Sequence, residues 1–252
     1  MAQEISNDQH FLIDQTIINN LVSSANITKD DIVLEIGAGS GNITLPLSKQ
    51  TTHLFASELD PQFFSTLQNI KNLTLIPGDV LKTLPKQKNI TLVIGNIPYQ
   101  LTEPIMHLLC QSKTIHKASF ILPKTFAQRL QQHPIFSAFW HTTIIQDVPS
   151  SAFQPKPRGT SVIAQLTKRS DTNPSLFFIR KLYLQSDKKL KNGLREGLID
   201  FWNARNETLT KKQADAMIEP LSLLSLDKPI SSLKPSEYVE IIHKIRSVLK
   251  NE

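Results

Sequence analysis

The chain has 252 residues, 40% of them hydrophobic and 20% charged, with a formal net charge of +6. Those totals are ordinary for a soluble globular protein of one large or two smaller domains. No apolar run approaches the roughly 20 residues that span a bilayer, and the single cysteine, Cys110, excludes an internal disulfide framework and a cysteine-based zinc site.

The N-terminal residues Met1 to Asp8 are polar and do not read as a signal peptide. Phe11 to Ala25 reads as a helix, with Leu12, Ile17, Ile18, Leu21 and Val22 on one face. Ile32 to Ile36 is a short buried strand. It runs into Gly37-Ala38-Gly39-Ser40-Gly41, and a helix opens from Asn42 to Lys49. A strand, a glycine-rich turn and a helix begin a nucleotide-binding α/β unit, because glycines let the backbone approach a ligand and leave helix N–H groups facing it. The G-x-G-x-G spacing lacks the third glycine placement of dinucleotide folds, and a plain tight turn is the bland alternative.

The second strand, His53 to Ser57, is followed by Glu58, 21 positions after Gly37. An acid at that distance and place grips a ribose diol. Asp60-Pro61 reads as an N-cap and first turn, hence structural. A third strand, Leu73 to Ile76, leads to Gly78-Asp79, where Asp79 can accept from an adenine amine or simply serve a turn. The fourth, Ile90 to Ile94, delivers Gly95-Asn96-Ile97-Pro98-Tyr99. Pro98 holds Ile97 extended, so backbone carbonyls there can face a ligand. Asn96 adds a side-chain acceptor, and Tyr99 a face on which a base can stack. Two acceptors on an exocyclic amine favour a pyramidal nitrogen and stabilise developing positive charge, so no titrating base is needed. The bland alternative is a strand-end turn. In an open parallel sheet, Gly37/Gly39, Glu58, Asp79 and Asn96 share one crevice at the strands' carboxyl ends. A ligand with a ribose, an adenine and no required pyrophosphate fits S-adenosylmethionine.

Further along, a helix runs from Thr102 to about Lys113, with Cys110 in its apolar pattern as buried packing. Ala118 to Leu122 reads as a strand, Thr125 to Gln132 as a helix and Phe139 to Asp147 as extended. Val148 to Ser161 is a proline-punctuated loop, and Val162 to Leu166 closes the sheet. Arg169 to Ser175 is polar and reads as a linker; from Leu176 the pattern is helical. Two domains are therefore expected, residues 1–168 and 176–252. No acid lies between Glu103 and Asp147, while Lys124 and Arg129 fall inside that stretch. Lys156, Arg158, Lys188, Lys189 and Lys191 follow. This is the footprint of a nucleic-acid partner, or else a set of solvated surface lysines.

The motifs stand in one order: Gln9-His10-Phe11-Leu12, Glu35 to Gly41, Glu58, Gly78-Asp79-Val80, Asn96-Ile97-Pro98-Tyr99 and Val148 to Pro157. In this the chain resembles the ribosomal RNA adenine dimethyltransferases. The resemblance covers most of residues 9 to 166 and continues more weakly into Lys188 to Leu194. It implies a Rossmann-like class I methyltransferase sheet with a small all-α C-terminal domain that docks RNA. The cofactor it implies is S-adenosylmethionine, with contacts at His10, Leu12, Gly37, Gly39, Glu58, Asp79 and Asn96. It puts the catalytic corner at Asn96, Pro98 and Tyr99 and implies no metal. The expected substrate is adenine N6 of small-subunit (16S) rRNA within a subunit precursor, and the expected protein a cytoplasmic monomer that touches no membrane. Three departures from the family pattern stand out. His10 replaces the usual Asn, though a neutral imidazole still donates one hydrogen bond; Pro123-Lys124-Thr125 replaces a Gln-Lys-Glu type of triplet; and the stretch from Arg129 to Val148 is short. Two alternatives stay open: a large-subunit (23S) methylase giving macrolide resistance, and a ribosome-assembly RNA-binding protein without catalysis. Retention of Glu58, Asp79 and the Asn96 corner argues against the latter.

Overall fold

A computed structural model describes residues 10–170, 173–221 and 226–250. The readings made on Met1 to Gln9 and on Asp171-Thr172 of the linker lie outside the described residues. The chain divides into two compact units: Met1–Gln131 with Trp140–Lys168, and Gln132–Phe139 with Arg169–Glu252.

The first unit is built on a seven-stranded sheet. In chain order its elements are β1 (Phe11–Leu12), α1 (Gln15–Ser24), β2 (Val33–Ile36), α2 (Thr44–Ser48), β3 (Leu54–Glu58), α3 (Phe64–Gln68), β4 (Leu73–Pro77), α4 (Val80–Thr83), β5 (Leu92–Asn96), α5 (Thr102–Gln111), β6 (Lys117–Pro123) and α6 (Lys124–Gln132). After α7 (Phe136–Phe139), which belongs to the second unit, come β7 (Trp140–Val148), β8 (Phe153–Gln154) and β9 (Ser161–Lys168). The sheet order is β4-β3-β2-β5-β6-β9-β7, and β1 pairs separately with β8. The first five strands are parallel, and β9 runs antiparallel to both β6 and β7. Short apolar strands such as Val33–Ile36 are buried throughout, as expected when helices cover both faces. The order reverses at β2, which lies between β3 and β5, and the crevice of such a sheet opens there.

One close approach holds this switch point together. Gly95 pairs with Ile36, and a Cβ on Gly95 would stand 2.5 Å from the Ile36 carbonyl oxygen. Only a residue without a side chain lets β5 lie so near β2 just before Asn96.

Three sequence expectations are corrected. Phe11 and Leu12 are not helical but extended, because they pair with Gln154 and Phe153; α1 starts only after Asp14, whose carboxylate accepts from the Thr16 and Ile17 N–H groups at 2.9 and 3.1 Å. The proline loop correspondingly contains β8. Phe139 closes the helical turn α7, in which Phe136, Ala138 and Phe139 are buried, and extended backbone begins at Trp140. Cys110 is buried, as its apolar context predicts.

The second unit is helical: α8 (Pro174–Tyr183), α9 (Leu190–Asn203), α10 (Lys211–Ile218) and α11 (Pro235–Lys250). Asn173 caps α8, two residues before the expected end of the linker. Phe178, Leu182, Leu190, Leu194 and Leu198 form part of its buried interior. Gly193 and Gly197 face that interior one turn apart; a Cβ on Gly197 would lie 3.1 Å from the Phe178 ring.

Candidate active site

A cavity of about 360 Å³ lies at the carboxyl ends of β2, β3, β4 and β5, and its lining includes His10, Gly37, Glu58, Asp79, Asn96 and Tyr99. Leu12, Gly39 and Pro98 border it as well. All nine residues expected to serve cofactor or catalysis therefore meet in one place, within the first unit. The volume is in the range of small-molecule sites.

Its floor is the glycine turn. Gly37, Gly39 and Gly41 all have positive φ, at +70°, +50° and +87°. A side chain on Gly39 would collide with the Phe11 ring at 3.0 Å, while one on Gly37 would meet nothing within 4 Å. Glu58, 6% exposed, is held by three backbone donors: Gly39 N–H on Oε2 at 2.7 Å, and Leu59 and Asp60 N–H on Oε1 at 2.8 Å each. Oε1 is saturated, and Oε2 keeps a lone pair. Beneath the turn Glu35 is fully buried, with no hydrogen-bond partner on either oxygen among the described residues. Burial pushes its carboxyl up to about 8; the neighbouring Thr44 hydroxyl opposes this only weakly, since it makes no hydrogen bond among the described residues, and the charge of Glu58 assists it. Asp79 caps α4 through the Leu81 N–H at 2.9 Å, which leaves its second oxygen for a ligand.

The Asn96 corner is more constrained than its sequence suggested. Nδ2 of Asn96 donates to the His10 backbone carbonyl at 2.7 Å. A carbonyl only accepts, so this contact fixes the amide's orientation and turns Oδ1 away as a free acceptor. The Pro98 carbonyl accepts from the Leu101 N–H at 2.9 Å and that of Tyr99 from the Thr102 hydroxyl at 2.8 Å. No backbone donor reaches the carbonyl of Ile97, the residue after Asn96, among the described residues, so it is open as a second acceptor. Tyr99 is 41% exposed, with its hydroxyl 3.0 Å from that of buried Ser161.

The one hydrogen bond that a neutral His10 ring can donate goes to the protein itself. Its Nδ1 lies 2.8 Å from the Pro155 carbonyl, so the proton of a neutral ring sits on Nδ1 and is already used. What the ring offers elsewhere is an acceptor at Nε2. Leu12 is anchored by Asn42, whose Nδ2 donates to its carbonyl at 2.8 Å.

The basic residues divide. Lys124 pairs with Asp147 at 2.8 Å, Lys188 with Glu196 at 2.6 Å and Lys189 with Asp227 at 3.0 Å. Arg129 lies over the Phe126 ring at 5.0 Å. Lys156, Arg158 and Lys191 are exposed and have no carboxylate partner among the described residues. Sequence reasoning missed Ser161, Phe11 and Phe63. The last two form an edge-to-face pair at 5.7 Å on the cavity wall. Their only signal was an aromatic beside each of two recognised motifs. No group of three or more His, Cys, Asp or Glu that could hold a metal occurs among the described residues.

Comparison with known proteins matches residues 2–219 to the family described as "Ribosomal RNA adenine dimethylase". The "Probable ribosomal RNA small subunit methyltransferase A" of Methanococcoides burtonii is 31% identical over 264 residues, covering 95% of this chain and 93% of the relative. Among solved structures, a dimethyladenosine transferase from Plasmodium falciparum superposes with a TM-score of 0.61 at 22% identity, over 95% of this chain and 98% of its own. The 23S rRNA methyltransferase ErmE does so with a TM-score of 0.60 at 18% identity, over 94% and 99%. At those identities the structural likeness establishes the class I methyltransferase fold.

Proposed function

The chain belongs to the ribosomal RNA adenine dimethylase family, and from that premise we propose that it methylates adenine N6 of small-subunit rRNA through the Asn96-Ile97-Pro98-Tyr99 corner. It is an S-adenosylmethionine-dependent rRNA adenine dimethyltransferase; the small-subunit target follows the name of its relative in Methanococcoides burtonii. The observation that carries the site assignment is the single cavity shared by Glu58, Asp79, Asn96 and Tyr99.

The residues present fit the methyl donor. Glu58 Oε2 keeps a lone pair for a ribose hydroxyl, the second oxygen of Asp79 can accept from the adenine amine, and Gly37 leaves space for close approach. When bound, this cofactor supplies a methyl group on a positively charged sulfur. The protein's own residues supply positioning and electrostatics. The target base leaves its stack, at a cost of roughly a few kcal/mol when paired, and rests against Tyr99. Asn96 Oδ1 and the Ile97 carbonyl accept the two N6 hydrogens, which localises the nitrogen lone pair and stabilises the positive charge that grows on N6. No side chain there need titrate; holding the reactants in place supplies much of the rate. Arg129, Lys156, Arg158 and Lys191, with Lys124, Lys188 and Lys189 behind their ion pairs, would contact the RNA backbone.

We place the reaction on a small-subunit precursor in the cytoplasm, carried out by a monomer. Among the described residues no helix is long and apolar enough to cross a membrane. Incubating the protein and labelled cofactor with under-methylated small and large subunits, then mapping modified adenines, tests the proposal. Label confined to small-subunit RNA is expected. Label in large-subunit RNA would move the substrate assignment, and cofactor binding without transfer would remove the catalytic one.

A further inference from the structure

Tyr99 presents a puzzle of order. It is 41% exposed at the mouth of the cavity, and a ring carried there on two rotatable bonds samples several rotamers. A platform for a base must hold one of them. The only polar atom of the side chain, its hydroxyl, lies 3.0 Å from the hydroxyl of Ser161, which is 1% exposed. Ser161 is itself rigidly placed: it opens β9 and is paired with Pro123 on one side and Val148 on the other. Immediately before it runs the loop that carries Lys156 and Arg158. That loop passes close to the same ring, since a Cβ on Gly159 would stand 3.9 Å from the Tyr99 hydroxyl.

We propose that Ser161 is a positioning residue for methyl transfer, pinning the far end of the Tyr99 ring so that its face is preset for the incoming adenine. The tether runs from the tip of β5 to the start of β9, a separation of 62 residues in sequence, and it joins the base platform to the basic loop. It also gives the Tyr99 hydroxyl a partner within the protein, so the face of the ring is what the tether presents to substrate. The inference rests on Tyr99 being the base platform, and the test separates the two.

Four variants are compared with the parent protein in single-turnover methyl transfer to under-methylated small subunits: Ser161→Ala, Tyr99→Phe, the two combined, and Tyr99→Ala. Cofactor affinity is measured by calorimetry. Small misplacements of a reacting group cost up to roughly 100-fold in rate, so removing one tether should lower the rate constant by about three- to tenfold. Ser161→Ala and Tyr99→Phe should show that loss equally and the combined variant no more, with cofactor affinity unchanged; Tyr99→Ala should lose far more. Full activity of both Ser161→Ala and Tyr99→Phe, or additive losses in the pair, would overturn the tether while a dead Tyr99→Ala preserved the platform. An active Tyr99→Ala would overturn the platform itself. Tyr99→Phe leaves the buried serine in place, so it decides the matter should Ser161→Ala fail to fold.

Discussion

The side chain of Asn96 is held by the main chain of His10: Nδ2 donates to that carbonyl at 2.7 Å. The amide is thus oriented by backbone, whatever side chain residue 10 carries, and the departure from Asn at that position leaves the catalytic corner intact. Asn96→Ala should lower methyl transfer by about 100-fold or more, the scale of losing a charge-stabilising group. Asn96→Asp should be as damaging although it is nearly isosteric, because a carboxylate would set an acceptor against the His10 carbonyl. Methyl transfer to ribosomal RNA, with cofactor affinity followed by calorimetry and expected to stay largely intact, checks both.

Glu35 makes stability depend on pH in the neutral range. Its carboxyl is raised by burial from 4.5 to about 8, so between those values the folded state holds a proton that the unfolded chain has released. Its contribution is therefore complete below pH 4.5 and is lost as pH rises toward 8. Glu35→Gln keeps the shape and cannot ionise. Urea unfolding at several pH values from 5 to 8 should show stability falling by a few kcal/mol in the parent, on the order that such a shift implies, and a flatter profile in the variant.

Asp31 acts in the opposite sense at the other end of the scale. Burial pushes its carboxyl up, but the Lys117 ammonium at 2.6 Å and donors from Thr28 and Thr91 outweigh that and bring it from 3.8 down to about 2. The stability it adds is present above pH 3.8 and disappears as pH falls through about 2. Asp31→Asn should cost roughly 1–2 kcal/mol at neutral pH and only a small fraction of that near pH 2. Chemical denaturation at the two pH values reads the difference.

Gly95→Ala should be among the most disruptive single-methyl changes available. The added carbon would stand 2.5 Å from backbone, the Ile36 carbonyl oxygen, which cannot rotate away. Separation of β2 from β5 should cost about 2–3 kcal/mol or more, as overpacking does, and displace the Asn96 corner with it. Gly159→Ala, whose added carbon would come no closer than 3.9 Å to a neighbouring side chain, serves as the mild comparison in thermal melts.

How far the sequence carried is itself physical. Glu58, Asp79 and Asn96 were readable because each ends a strand, and a parallel sheet sends all such ends to one edge. The sheet itself was readable from its short apolar runs. Ser161 was not, since nothing local says that β9 lies between β6 and β7 and so reaches Tyr99. Phe11-Leu12 misled for a related reason: apolar residues before Ile17 extend a helical pattern, and only the distant partner Phe153-Gln154 draws them into a strand. The ion pairs of Lys124, Lys188 and Lys189 were hidden for another reason, because composition counts charges and is blind to Asp147, Glu196 and Asp227 standing beside them.

Those three ion pairs have a thermodynamic echo. A lysine that already faces a carboxylate must give up that partner before it can neutralise a phosphate, so it displaces fewer of the cations condensed on the RNA. Of the seven basic residues expected to face RNA, Lys124, Lys188 and Lys189 are in that state, leaving Arg129, Lys156, Arg158 and Lys191 to dominate. The logarithm of RNA affinity should then fall against the logarithm of salt with a slope near −3, since each neutralised phosphate contributes about −0.7 to −0.9. Asp147→Asn, by freeing Lys124, should steepen that slope by nearly one.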